Sequence, residues 1–561
     1  SLGLEWDIIP GLTLRTNGTL KYGINKTLTY KRKYYDDGTS SSSVAKNENY
    51  TYVWDNTLTY LKTLEDHNLV GLLGFSIEKY EYDGLSASGS NFPDDEVLTN
   101  LGSAATKNSI ASSYNSNTLV STFARLEYKF KNRYLATFTF RADGSSKFGP
   151  DKRWGYFPSG ALAWIISEEN FLKDYSHIVS YLKLRASIGK TGSQNLGNYD
   201  WRTLMGSATY NGAPGIKPSS LGNDILQWES QVQKEIGLDY GFWEDRIRGS
   251  IGYYQKKVDN LLYSDPVPYS SSFSSVTQNI GSLKNKGFEF DVKVDIIKNT
   301  QKDLTWDFDF NVARNITTLE KLNSEAEYFG GGAYEYFKIK VGGKTGILYG
   351  YKYGGRLIRT NEELVALKTI NPETGQQQYY RDNNNYERPG DLYIMDLDGD
   401  GQITADGDRT EIGNANPDFF GGFGTTLYWK GLMVNATFTY SVGADRFYDE
   451  EKSSAGDINS YNVSKNVLKS WTMNPGVDRG YPRAMYYGWG SNSIITDRYV
   501  HDASFLRLSA LNQLSSTETI VRFQYRGCDR FDIPGHESVY LDEISGYGPA
   551  RKLQYILQCF L

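Results

Sequence analysis

The sequence predicts an all-β chain, an antiparallel membrane-spanning β-barrel present here in part. Three observations carry that expectation. Apolar and polar residues alternate with period two in segment after segment. Short and long connections largely take turns. Tyrosine and tryptophan crowd the strand ends.

Composition sets the bounds. The chain has 561 residues, with 39% hydrophobic, 22% charged and 14% aromatic, including 44 tyrosines and 56 glycines. Mean hydropathy is −0.52, and no stretch approaches the roughly 18 uninterrupted apolar residues of a membrane helix. Disorder is excluded by the supply of aromatic and β-branched residues. A net charge of −6 disfavours nucleic acid as a partner. A membrane barrel survives all these tests, because it hides its apolar face in alternation. The two cysteines, Cys528 and Cys559, and the scattered histidines His67, His177, His501 and His536 form neither a disulfide framework nor a zinc pattern. The opening residues, Ser1-Leu2-Gly3-Leu4-Glu5-Trp6, read directly as strand, so the chain is expected to be a piece of something longer.

The alternation is plain in several places. Tyr134, Ala136, Phe138 and Phe140 interleave with Leu135, Thr137, Thr139 and Arg141. Leu182, Leu184, Ala186 and Ile188 interleave with Lys183, Arg185 and Ser187. Phe288, Phe290, Val292, Val294 and Ile296 interleave with Glu289, Asp291, Lys293 and Asp295; Trp306, Phe308, Phe310 and Val312 follow with Asp307, Asp309 and Asn311 between them. Successive side chains on a strand point to opposite faces, so each segment has one greasy and one polar side. Roughly fifteen such segments are expected, many near the 9–11 residues that a tilted membrane strand needs. In a barrel the polar phase lines a wet interior. Tyr50, Tyr52, Trp54, Tyr253 and Trp429 suit interfacial girdles.

The connections add direction. Lys131–Arg133, Trp243–Arg246, Lys430-Gly431 and the stretch 298–303 are short. The stretches 82–117, 189–230, 260–284, 319–419 and 442–500 are long and polar. Short turns at one rim and long loops at the other are the outer-membrane barrel pattern. A sandwich or propeller gives no reason for long loops to fall on every second connection.

Specific motifs then appear in order. Residues 134–171 read YLATFTFRADGSSKFGPDKRWGYFPSGALAWIISEENF, and 182–198 read LKLRASIGKTGSQNLGN. Asn279-Ile280-Gly281, Asn285–Glu289 and Gly413-Asn414-Ala415-Asn416-Pro417 follow. Over roughly residues 1–511 the chain resembles the barrel of SusC/RagA-type TonB-dependent outer-membrane transporters. The resemblance implies an importer of large nutrients, oligosaccharides or, second, peptides, in the outer membrane of a Gram-negative bacterium. It implies a SusD-like surface lipoprotein as lid, the TonB complex as energy source through a plug, and outer-membrane lipid around the wall. A plug, a TonB box and the first barrel strands are not found in this sequence. The rival readings are a surface adhesin or structural barrel, and a soluble β-rich glycan-binding module. No catalytic set stands out, so the chain is not read as an enzyme.

Inside the longest loop, residues 396–408 read DLDGDGQITADGD. Aspartates at loop positions 1, 3 and 5, glycine at 6 and an apolar residue at 8 match a calcium loop in its first half. Position 12 is Gly407. The candidate calcium ligands are Asp396, Asp398, Asp400, Gln402, Asp406 and Asp408. The competing expectation is a series of Asx turns. Tyr334, Tyr336 and Tyr379 are candidates for stacking on sugar rings.

From about residue 512 to 561 the chain departs from the family pattern and alternation fails. Codons chosen for Gly535 through Ala550, read one base later, spell ATNLFTWTKYLGMDP, a family-like segment. The same shift from Gln513 gives SYRLPKPLF. The tail is therefore expected to be a frameshifted translation.

Overall fold

The computed structural model describes residues 1–33, 38–322, 328–330, 336–367, 369–370, 377–378, 388–454, 463–472, 480–484, 492, 494–515 and 521–523. One sixteen-stranded antiparallel sheet dominates, and its spatial order follows the chain. Its strands are β1 (Leu2–Ile9), β2 (Leu12–Lys31), β3 (Ser41–Leu64), β4 (His67–Ser90), β5 (Thr106–Phe130), β6 (Tyr134–Ser145), β7 (Trp154–Ile165) and β8 (Val179–Ser193). The second half comprises β9 (Glu229–Phe242), β10 (Ile247–Asp259), β11 (Ser282–Asn299), β12 (Leu304–Lys321), β13 (Phe419–Trp429), β14 (Leu432–Val442), β15 (Phe505–Ser515) and β16 (Val521–Phe523). Among the described residues β1 and β16 are the two edges of an open sheet. Among the described residues no helix is long and apolar enough to cross a membrane.

The connections alternate as expected. At one rim the turns are tight. Lys430 and Gly431 both take positive φ, 46° and 86°, and so build a two-residue hairpin whose twist matches the strands. At the other rim lie all the long loops. Among the described residues the stretch 166–178, with two short 3-10 turns, is the one longer connection on the tight side.

Two expectations need correction. Most wall strands exceed 9–11 residues; β3, β4 and β5 have 24, 24 and 25. The stretch 82–117 is not a loop throughout, since β4 continues to Ser90 and β5 begins at Thr106. Both errors have one cause. Beyond the lipid both faces meet water, so hydropathy alternation ends while backbone pairing continues. Polar cross-strand pairs hold the extension: Tyr80 Oη donates to Asn49 Oδ1 at 3.0 Å and Tyr82 Oη to Asn47 Oδ1 at 2.9 Å.

The apolar phase forms the outer face. Leu4, Trp6, Leu20, Leu73, Leu162 and Ile188 are all more than half exposed, which is the state of a surface that lipid, not water, must cover. Tyr50, Tyr52, Trp54, Tyr253 and Trp429 all lie in this phase by register. Trp154 and Trp164 share the face about ten residues apart on β7. That is about 33 Å along the strand, or about 25 Å of height at the usual tilt, the thickness of an outer-membrane apolar band. Two outward tyrosines satisfy their hydroxyls on backbone: Tyr240 Oη donates to Asp291 O at 3.0 Å and Tyr440 Oη to Asn311 O at 2.9 Å. Gly249 and Gly421 leave room for those rings, since a Cβ there would meet the hydroxyl at 2.8 Å.

Candidate functional site

The polar phase forms the inner face. Register aligns Arg248 with Lys293, Ser250 with Asp291, Asp295 with Asp307 and Lys293 with Asp309. Ion pairs knit it: Arg248 Nη1 to Asp295 at 3.2 Å and Lys293 Nζ to Asp307 at 3.4 Å. On β8 and β9, Arg185 bridges Glu235 and Asp239, with 3.0 Å to the latter, and Lys183 reaches Asp239 at 3.3 Å. Gly237 makes this possible, because a Cβ there would stand 2.6 Å from the guanidinium carbon. Arg141 donates to both oxygens of Asp143 at 2.7 and 2.8 Å and to Ser121 Oγ at 2.8 Å. The result is a polar wall whose charges are largely paired, able to exchange hydrogen bonds with a passing hydrophilic solute.

The sequence motifs turn out to be braces at the loop rim. Phe148 and Leu226 are fully buried with Phe157 and Trp228. Phe148 lies 5.0 Å and Phe157 5.5 Å from the Trp228 ring, whose Nε1 donates to Arg153 O at 2.8 Å. The Phe157 ring occupies the space a side chain at Gly155 or Gly192 would need. Asn279 ties three segments: it accepts from Gln227 N at 2.8 Å and donates to Gln227 O at 2.8 Å and Asn260 O at 3.0 Å. Asn416 Nδ2 donates to Thr345 O at 2.5 Å.

Above the wall, the two longest loops share one core. Leu357, Ile358, Leu364, Leu392, Ile394 and Ile403 from the first pack with Tyr481 and Tyr499 from the second. A buried pair fastens them. Asp391, with no exposed surface, accepts from Arg483 Nε at 2.6 Å, Arg483 Nη2 at 3.2 Å, Asn492 Nδ2 at 3.1 Å and its own loop's Arg388 N at 2.8 Å. Sequence reasoning missed this pair, and single-sequence spacing offers no signal across 92 residues. Burial pushes the Tyr481 phenol up to about 12 and raises that of Tyr499 as well.

The acidic loop packs against this core through Ile403. Of the six candidate ligands the structure brings Asp396, Asp398 and Asp408 together, with carboxylate oxygens within 4.8 Å of one another. Asp400 and Asp406 lie outside that group. The Gln402 backbone N–H donates to Asp400 Oδ1 at 2.7 Å. The Asx turns are also present. Asp396 accepts from Gly399 N at 2.7 Å and Gly401 N at 2.8 Å. Buried Asp408 accepts from Leu397 N at 2.6 Å and Thr404 N at 2.7 Å. The Asp400 N–H lowers the Asp398 carboxyl, but burial and repulsion from Asp400, Asp408 and Asp396 leave it above the usual carboxylate range. Three converging carboxylates fit a hard cation in part. Calcium would take further oxygens beyond these three. Tyr336 stacks on Phe447 at 5.1 Å, a packing role; Tyr334 and Tyr379 lie outside the described residues, as do Cys528, Cys559 and His536.

A family model described as TonB dependent receptor-like, beta-barrel, matches residues 1–474. The chain belongs to the TonB-dependent receptor β-barrel family. Among its relatives is TonB-dependent receptor P39 of Formosa agariphila, 32% identical over 528 residues, covering 89% of this chain and 50% of the relative. TonB-dependent receptor SusC of Bacteroides thetaiotaomicron is 30% identical over 531 residues, covering 88% and 48%. The solved RagAB peptide transporter superposes with a TM-score of 0.74 at 25% identity, over 91% of this chain and 54% of that one. This receptor barrel thus spans about half the length of the curated relatives it matches. Its SusC/RagA-type motifs are the braces described above.

Proposed function

We propose that this chain forms channel wall and extracellular loops of a TonB-dependent importer of large hydrophilic nutrients in a Gram-negative outer membrane. The substrate class is oligosaccharide first and peptide second, the latter supported by the likeness to the RagAB peptide transporter. A SusD-like lipoprotein on the loop side and the TonB complex acting through a plug are the partners this reading requires. One observation carries it: a RagAB-like wall whose apolar face points outward while its paired charges line the inside. The outward face also argues against the soluble glycan-binding module, which would leave that surface in water.

The test is uptake. Deleting the encoding gene should abolish growth on one class of oligosaccharide or peptide, and complementation should restore it. Unchanged growth on all classes, with retained cell-surface binding, would favour the adhesin reading instead. The tail from residue 512 is carried as a shifted reading frame. In support, register sets Gln513 opposite Val434 on the lipid side, where an evolved strand keeps apolar residues. Sequencing the DNA, together with peptide mass spectrometry of the tail, decides it; an intact frame would end the idea.

A further inference from the structure

The outer face carries a cationic patch where lipid should lie. Following the apolar phase across β8–β12, Ile188 faces Lys234, which faces Gln255, which faces Lys286. In the adjoining rows, Lys190 lies opposite Val232 and Arg314 opposite Phe288. Lys190 and Lys234 are diagonal neighbours, about 7–8 Å apart on the backbone. Lys234 and Lys286 are two strands apart, about 10 Å. No ion pair joins Lys190, Lys234, Lys286 or Arg314 to a carboxylate among the described residues. The nearby Lys257 and Lys284 are occupied by Glu320, at 3.5 and 3.2 Å. Four uncompensated cations therefore share one side of the wall.

Height matters as much as face. Each of the four stands roughly 8–13 residues from the tight-turn end of its strand, as do Trp154 and Tyr156 on β7. That is the outer edge of the apolar band, on the long-loop side. Charge is most costly at the bilayer midplane and nearly free at the interface, where a long side chain reaches the headgroups. Directly beside the patch, the outer face holds an apolar groove of about 630 Å³. Leu126, Phe138, Leu162 and Ile188 wall it, Gly160 leaves its floor open, and Lys234 closes its loopward end.

We propose that this patch binds a phosphorylated lipid of the outer leaflet, its phosphates against Lys190, Lys234, Lys286 and Arg314 and one acyl chain in the groove. Charge complementarity selects the headgroup, and the groove's apolar walls select a lipid over free phosphate. The proposal rests on the outer-membrane placement proposed above.

The test uses the full chain, expressed in a Gram-negative host and purified in mild detergent. Retained lipid is identified by mass spectrometry, then rebound from nanodiscs containing bisphosphorylated lipid A, its dephosphorylated form, or phosphatidylcholine alone. The fourfold variant K190Q/K234Q/K286Q/R314Q should lose bisphosphorylated lipid A by on the order of a hundredfold or more, since each cation near an anionic surface contributes about fivefold. The threefold variant K190R/K234R/K286R should keep it. Equal retention by wild type and the glutamine variant would overturn the site. So would equal retention of the dephosphorylated lipid, or complete displacement by millimolar inorganic phosphate. Density fractionation separates the two readings. Wild-type protein absent from the outer membrane sinks both, whereas correct placement with unchanged lipid retention sinks only the site.

Discussion

Removing Arg483 is the sharpest perturbation of the loop core. Asp391 has no exposed surface, and two of its four hydrogen bonds come from that guanidinium. An R483M substitution keeps the volume and strands a buried carboxylate with only Asn492 and one backbone N–H. Breaking a buried ion pair from one side costs about 3–5 kcal/mol, a factor on the order of 10²–10⁴ in the opening equilibrium. The double variant D391L/R483M removes both charges and should recover most of the loss, because a buried pair replaced by apolar groups is often neutral. Native-state hydrogen exchange reads the effect at Ile358 N–H, which donates to Asp391 O, and at Arg483 N–H, which donates to Gly390 O. Exchange there should accelerate in R483M while β6–β9 amides stay protected. Unchanged exchange in R483M, or loss of protection spread evenly through the wall, would refute the idea that the loops form one unit fastened by this pair.

Three further predictions follow from the same structure. Trp228→Ala should destabilise the rim brace by about 3–5 kcal/mol, as large-to-small changes of buried aromatics do, and denaturant melts with a loop-rim probe would show it; a shift below about 0.5 kcal/mol would assign the motif another role. Because the Tyr481 phenol is raised to about 12 in the folded loops against about 10 unfolded, the folded form holds its proton longer. The resulting loop stability is full below pH 10 and falls as pH rises toward 12; tyrosinate absorbance that titrates entirely near 10 would contradict the burial. Calcium should raise the loop melting temperature in the wild type and not in Asp398→Asn, whose backbone-bonding capacity is retained; no calcium response in the wild type would leave Asp396, Asp398 and Asp408 as Asx-turn acceptors alone.

The wall was legible in the sequence wherever lipid stood on one side and a wet interior on the other. The tight turns at Lys131–Arg133 and Lys430-Gly431, and the placement of Glu289, Asp291, Lys293 and Asp295 on one face, were all readable from alternation. The reach of β4 and β5 past Tyr82 and Asn117 was not readable, because water on both faces erases the period-two signal. The acidic loop was half legible: local spacing predicted its Asx turns, but which carboxylates converge depends on how the loop packs through Ile403.

Alternation and the rhythm of short and long connections thus determined the fold class, the inner and outer faces and the rims, since side-chain direction on a strand is a local property of the backbone. Contacts between distant segments were decided only in three dimensions. Asp391 meets Arg483, and Lys190 joins Lys234, Lys286 and Arg314, because strand pairing and loop packing bring together residues whose separation in the chain carries no periodic trace.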